Sequence, residues 1–253
     1  MTPSLALLAL VVGILLGSLG GGGAILAVPV LTYLAHQPPS AAITGSLVIV
    51  GLSSLVGLLP HLRAGRVHVA EGVTFGLLGI VGSLVGSRLS TSIPGPILMT
   101  TFAALLLAVA ILMLRRRRRA RGGAEDGPAR GWPTRVAAAT GVGLLTGFFG
   151  VGGGFVVIPA LTLVMGLPMG AAVGTSLLVI AINAASSLGA RATGGLEVDW
   201  AIILPFAAIA VAGTLVGGRV GQKVDQDTLS LAFVALLLGV AAYVAVQNVP
   251  QLV

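Results

Sequence analysis

The chain of 253 residues contains no cysteine. A disulfide, a zinc–thiolate site and a thiol nucleophile are therefore excluded. Charge is scarce as well: Asp, Glu, Lys and Arg together make up 8% of the residues, against roughly a quarter in soluble domains. Aromatic residues amount to 4%. The three histidines, His36, His61 and His68, are scattered and lack ligand spacing, so they read as interfacial or solvated side chains and no metal is expected. Gly20-Gly21-Gly22-Gly23 is not followed by the Lys-Ser/Thr of a nucleotide loop, which excludes an ATP-driven pump within this chain. No Ser–His–Asp arrangement is present either. Neither an enzyme nor a cofactor is expected.

What the chain has in quantity is apolar surface. Apolar residues reach 56% and the mean hydropathy is +1.08, more than a soluble fold of this size can hide. The solvent partner is a lipid bilayer. The expected fold is an all-α, polytopic transmembrane bundle in the cell membrane, here the bacterial inner membrane. Six stretches meet the length of about 20 residues that a bilayer requires: 41–59, 69–86, 97–114, 171–190, 200–217 and 229–246. Two longer regions, 3–34 and 136–167, are interrupted by glycine clusters into pieces too short to span comfortably. The first has no Lys or Arg before its apolar run and has a counterpart in mid-chain, so it belongs to the mature fold rather than to a signal peptide.

The net charge of +7 is local. Residues 115–135 hold eight arginines (115–119, 121, 130 and 135) against Glu125 and Asp126, so six of the seven net charges lie there. Directly after an apolar span, such a run fixes its loop on the cytoplasmic side. Without aromatic platforms beside it, it is no signal for nucleic acid.

The chain repeats itself. A shift of 130 residues superimposes Gly20, Gly22, Gly23, Pro29, Leu31, Thr32, Pro38, Ala41, Ala42, Ser46, Leu47 and Leu58 on identical residues. At a shift of 131, Gly82-Ser83-Leu84-Val85-Gly86-Ser87-Arg88 matches Gly213-Thr214-Leu215-Val216-Gly217-Gly218-Arg219. Small residues four apart allow close helix packing, and Arg88 and Arg219 are expected to snorkel to the interface. The division is a first transmembrane repeat at 1–114, an arginine-rich cytoplasmic linker at 115–135 and a second repeat at 136–253. Counted as one broken span, each glycine-interrupted region gives four crossings per repeat, about eight in all, and parallel repeats. Counted as a re-entrant hairpin, it gives inverted halves, the commoner solution among carriers with broken helices.

Non-helical backbone at membrane depth survives only where protein or a watery cavity covers it. Each cluster opens a short helix, at Ala24 and at Phe155, whose first N–H groups are unpaired and whose dipole end is positive. That suits a small oxyanion. The next helix of each copy adds hydroxyls and an amide: Thr44, Ser46, Ser53 and Ser54 in the first, Thr175, Ser176, Asn183 and Ser186 in the second. The candidate substrate-binding residues are thus Gly20, Gly21, Gly22, Gly23, Ala24 and Ser46, with Gly150, Gly152, Gly153, Gly154, Phe155, Thr175, Ser176 and Asn183. Gly153→Leu is expected to abolish flux in a folded, inserted protein. Glu71, Glu197 and Asp199, near span ends, are the carboxylates available for coupling to a proton.

The twin clusters Gly-Gly-Gly-Gly-Ala…Val-Pro and Gly-Val-Gly-Gly-Gly…Ile-Pro, each followed by a Gly/Thr-Ser-Leu helix, resemble the TauE/SafE family of sulfite and organosulfonate exporters. Gly65…Val67 and Gly195…Asp199-Trp200 fit as well. The resemblance covers essentially the whole chain. It implies secondary transport of a small sulfur-containing anion such as sulfite, sulfoacetate or thiosulfate, driven by a coupling proton or ion. The first cluster departs from the family's usual alternation, and Val67-His68-Val69 stands where the second repeat has Val198-Asp199-Trp200. The alternatives to a carrier are an anion channel and a membrane subunit or scaffold without transport of its own. Substrate, flux direction and homo-oligomerisation are not encoded in any feature of the sequence.

Overall fold

A computed structural model describes residues 2–90, 92–121, 131–149, 154–192 and 198–248. Gly150, Gly152 and Gly153 of the second cluster, and Glu197, lie outside the described residues. The described residues form α1 (Pro3–Leu19), α2 (Ala24–Pro29), α3 (Pro39–Arg63), α4 (Val69–Ser90), α5 (Gly95–Arg121), α6 (Trp132–Phe149), α7 (Gly154–Leu163), α8 (Met169–Ala192), α9 (Trp200–Gly221) and α10 (Gln226–Asn248). Six of them, α3, α4, α5, α8, α9 and α10, are long and apolar enough to cross a membrane. These are the six stretches expected from hydropathy, each extended at one or both ends. The protein is an all-α, multi-pass membrane bundle.

The first glycine cluster breaks the chain where expected. Gly20–Gly22 form a single 3-10 turn between α1 and α2, with Gly20 at φ +61°, a backbone conformation that costs glycine little. A Cβ on Gly23 would fall on Val12 O and Leu16 N. The chain therefore reverses at the cluster, and α2 starts back along α1 as one arm of a hairpin. Pro29, which supplies no N–H, ends the α-helical part of that arm, and a π turn over Val30–Leu34 completes it. The arginine run is helical rather than looped: α5 continues to Arg121. Arginine is a good helix former and is favoured at a helix C-terminus by the dipole.

Glycines set the helix pairing. Gly13 faces the carbonyl of Ala210, Gly17 that of Thr214, Gly217 that of Ile14 and Gly221 Ser18. The numbers rise together, so α1 and α9 run in the same direction. Likewise Gly82 faces Thr140, Gly86 faces Leu144 and Gly147 faces Ser83, so α4 and α6 run the same way. α3 and α8 run oppositely, because Gly51 meets Ala184, Gly57 meets Leu177, and Gly174 meets His61 and Arg66. Gly95 at the start of α5 abuts Pro39 at the start of α3. The arginine-bearing end of α5 therefore lies at the same end of the bundle as Arg63. Arg88 and Arg219 are exposed, away from the centre.

Backbone contact of this kind leaves no room for a methyl group. Gly217→Ala is expected to cost about 1–3 kcal/mol through overpacking and to lower Tm in detergent. Gly239→Ala, where a Cβ meets nothing within 4 Å, is expected to hold or raise it. Equal Tm values for the two variants would refute the close α1–α9 contact.

Candidate functional site

The first glycine break meets the start of α7. A Cβ on Gly21 would coincide with the backbone of Gly154, and one on Gly154 would strike Gly21 and the Ile180 side chain. Such an approach is open only to glycine on both sides. Ala24, at the start of α2, is buried. Gly154 and Phe155 begin α7 and are buried too, and the Phe155 ring packs edge-on against Phe102 with centroids 5.7 Å apart. The Phe155 side chain thus fixes α7 against α5, leaving its backbone N–H in the first turn of the helix.

Of the hydroxyls, Ser176 lies at the first break: Gly20 could not carry a Cβ without lying 2.5 Å from Ser176 Oγ. Ser176 Oγ donates to Val173 O at 2.8 Å, and Ser46 Oγ donates to Ile43 O at the same distance. These are equivalent bonds in the two copies, the default role of a hydroxyl in a membrane helix. Thr175 has a different task. Its Oγ1 accepts from the His68 N–H at 3.0 Å, tying the turn before α4 to α8. Thr44 Oγ1 donates to Ser40 O.

The polar groups without such bonds are the informative ones. Asn183 is 0% exposed, yet neither Nδ2 nor Oδ1 has a hydrogen-bond partner among the described residues. Ser53 and Ser54 on α3, and Ser187 on α8, are equally buried with unpartnered hydroxyls. Ser53 and Asn183 are 130 residues apart, so they occupy equivalent places in the two copies. The antiparallel register of α3 and α8 sets them at one level of the bundle. Space for the amide comes from Gly79 of α4, where a Cβ would lie 2.8 Å from Asn183 Oδ1. Ser186 is paired, accepting from Ser83 Oγ at 2.9 Å. An unpaired buried amide costs roughly 1–3 kcal/mol, and three unpaired hydroxyls are buried on the same two helices.

Two of the candidate coupling carboxylates, Glu71 and Asp199, are peripheral. Glu71 pairs with His68 at 3.7 Å, both side chains more than 40% exposed, and Asp199 caps α9 by accepting from the Ala201 N–H. Two residues overlooked by sequence reasoning stand closer to the core. His61, expected at an interface, is 2% exposed with Nε2 3.1 Å from Gly17 O. Arg191 is 9% exposed and donates to Ser90 Oγ and, at 3.4 Å, to Gly147 O. The sequence signal was present: His61 and Arg191 are related by the same shift of 130, as are Gly17 and Gly147.

A membrane bundle with a glycine-interrupted helix packed against the start of α7, and unpaired buried polar groups on the neighbouring helices, is the architecture of a transport protein. The family model for the sulfite exporter TauE/SafE matches residues 5–244, and the chain belongs to that family. It is 33% identical over 241 residues to a probable membrane transporter protein of Xylella fastidiosa strain 9a5c, covering 92% of this chain and 90% of the relative. It is 30% identical over 213 residues to the probable membrane transporter protein YdhB of Bacillus subtilis strain 168, covering 83% and 85%. A probable membrane transporter protein of Methanocaldococcus jannaschii is 26% identical over 234 residues, covering 88% and 86%. No solved structure matches the chain.

Proposed function

We propose that the protein is a secondary carrier that exports a small sulfur-containing anion, sulfite, sulfoacetate or a similar organosulfonate, by alternating access between two inverted halves. The observation that carries this reading is the Asn183 amide, wholly buried with both polar atoms unpaired, at the level of Ser53 and Ser54. An amide N–H and hydroxyl donors give an oxyanion neutral hydrogen bonds without trapping it, as release requires. The converging glycine breaks, at Gly20–Gly23 and at the start of α7, add backbone N–H groups and the positive ends of short helices. Parallel pairing of α1 with α9 and of α4 with α6, around an antiparallel α3–α8 pair, is what a two-fold axis in the membrane plane produces. It supports inversion of 136–253 relative to 1–114 and a rocking of one half against the other. The family's name supports the sulfur-anion class.

The test is flux in proteoliposomes, with sulfite, sulfoacetate, thiosulfate, sulfate and chloride offered separately under an imposed pH gradient. Saturable flux of one sulfur oxyanion that responds to the gradient is the expected result. Non-saturating conductance would replace the carrier with a channel. No movement of any of the five by folded protein would remove transport of this class.

A further inference from the structure

Arg191 and His61 hold equivalent stations at opposite ends of the bundle, and they differ in a way the fold does not require. Each sits at the C-terminal end of its central helix, α8 or α3. Each reaches the carbonyl three residues before a glycine break, Gly147 O or Gly17 O. At the arginine-bearing end a histidine makes this contact, so a single N–H donor is enough to hold the carbonyl. At the other end the same contact is made by a guanidinium that is more than nine-tenths buried. Its remaining partner is the Ser90 hydroxyl on α4, and Nε has no partner. The His68–Glu71 pair stands at the other end of α4 from Ser90. Among the described residues, Arg191 thus has only neutral partners. A buried charge without a counter-charge is heavily penalised, and an intramembrane ionisable residue of this kind marks a substrate route.

We propose that Arg191 is an anion-binding residue at the end of the bundle opposite the arginine run, the station through which the transported anion passes between the central site and that side of the membrane. Its planar fork matches a sulfonate or sulfite, which can take two parallel N–H···O bonds. Release of Ser90 Oγ and Gly147 O would free the donors to engage the anion. Gly147 lies in the last turn of α6, so engagement at Arg191 is mechanically linked to the end of that helix. This proposal rests on the anion-carrier reading.

The chain's lack of cysteine allows a test without background labelling. Arg191→Gln and Arg191→Cys, compared with wild type in proteoliposomes, are expected to raise KM for sulfite or sulfoacetate by roughly ten- to a hundredfold, the range of a charge-assisted hydrogen bond. Arg191→Lys is expected to lie between them and wild type. Treating Arg191→Cys during turnover with a cationic aminoethyl methanethiosulfonate restores low KM, whereas a neutral methanethiosulfonate does not. Folding is followed independently by Tm in detergent. Unchanged KM in Arg191→Gln, equal rescue by the neutral reagent, or failure of the cysteine to react during turnover would each reduce Arg191 to a packing contact and overturn the proposal alone. A wild-type protein that moves none of the anions overturns the carrier reading and this proposal with it.

Discussion

Asn183→Leu is expected to yield a protein that is more stable than wild type and does not transport. Two effects separate here because the Asn183 amide is buried without a hydrogen-bond partner. In the resting protein its desolvation is uncompensated, at about 1–3 kcal/mol. Leucine has the same branched skeleton of side-chain heavy atoms, with bulkier ends and no polar atom, so the penalty vanishes and Tm in detergent rises. If the amide donates to the passing anion, the same change removes the donor at mid-membrane, and saturable flux should fall by a hundredfold or so, using the charge-assisted value of up to about 3 kcal/mol. Asn183→Asp is the complementary experiment. It keeps the shape but sets a carboxylate, where ionised, against an anion, and its flux should be lost too. An amide that serves only to pack against Gly79 predicts a different pattern, with full flux in Asn183→Leu. That result would move the site elsewhere.

The sequence made the membrane helices and their breaks legible because both are written in one-dimensional signals. Apolar length alone located α3, α4, α5, α8, α9 and α10, and the first glycine cluster located the interruption between α1 and α2. Helix ends were less legible: the arginine run of α5 reads as a loop by hydropathy, although arginine extends a helix as readily as leucine does. Depth was the least legible property. His61 and Arg191 look like ordinary polar residues at span ends, and only the packing of α1 against α3, and of α6 against α8, buries them. Thr175 and Ser176 are adjacent in sequence, yet one faces the turn before α4 and the other faces Gly20. About 100° of helix rotation separates their directions, and no pattern in one chain says which direction points at a ligand. The unpaired state of Asn183, Ser53 and Ser54 depends on what the neighbouring helices fail to supply, so it is a property of the assembled bundle.

Gly21→Ala and Gly154→Ala are expected to abolish transport and to destabilise the protein. At Gly45, Gly57 and Gly76 an added methyl would meet a side chain that can turn aside. Here it meets backbone: Gly154 Cα and C on one side, Gly21 Cα on the other. Carbon atoms settle at about 3.5–4.0 Å, so the two breaks would have to part by well over an ångström, and both are tethered in α1–α2 and in α7. The cost should exceed the usual 1–3 kcal/mol or so of overpacking. Gly141→Ala on the exposed face of α6, where a Cβ meets nothing within 4 Å, gains helix propensity instead, by about 0.5–1 kcal/mol. If transport moves one half against the other, this junction is where the breaks must separate and rejoin. A methyl group there favours whichever arrangement holds them apart. Gly21→Ala should then be caught on one side of the membrane, with Arg191→Cys in the same chain showing a fixed rate of reaction with the cationic reagent whether or not substrate is added. Wild-type flux and Tm in Gly21→Ala would show that the breaks do not touch, and the site built on their contact would fall.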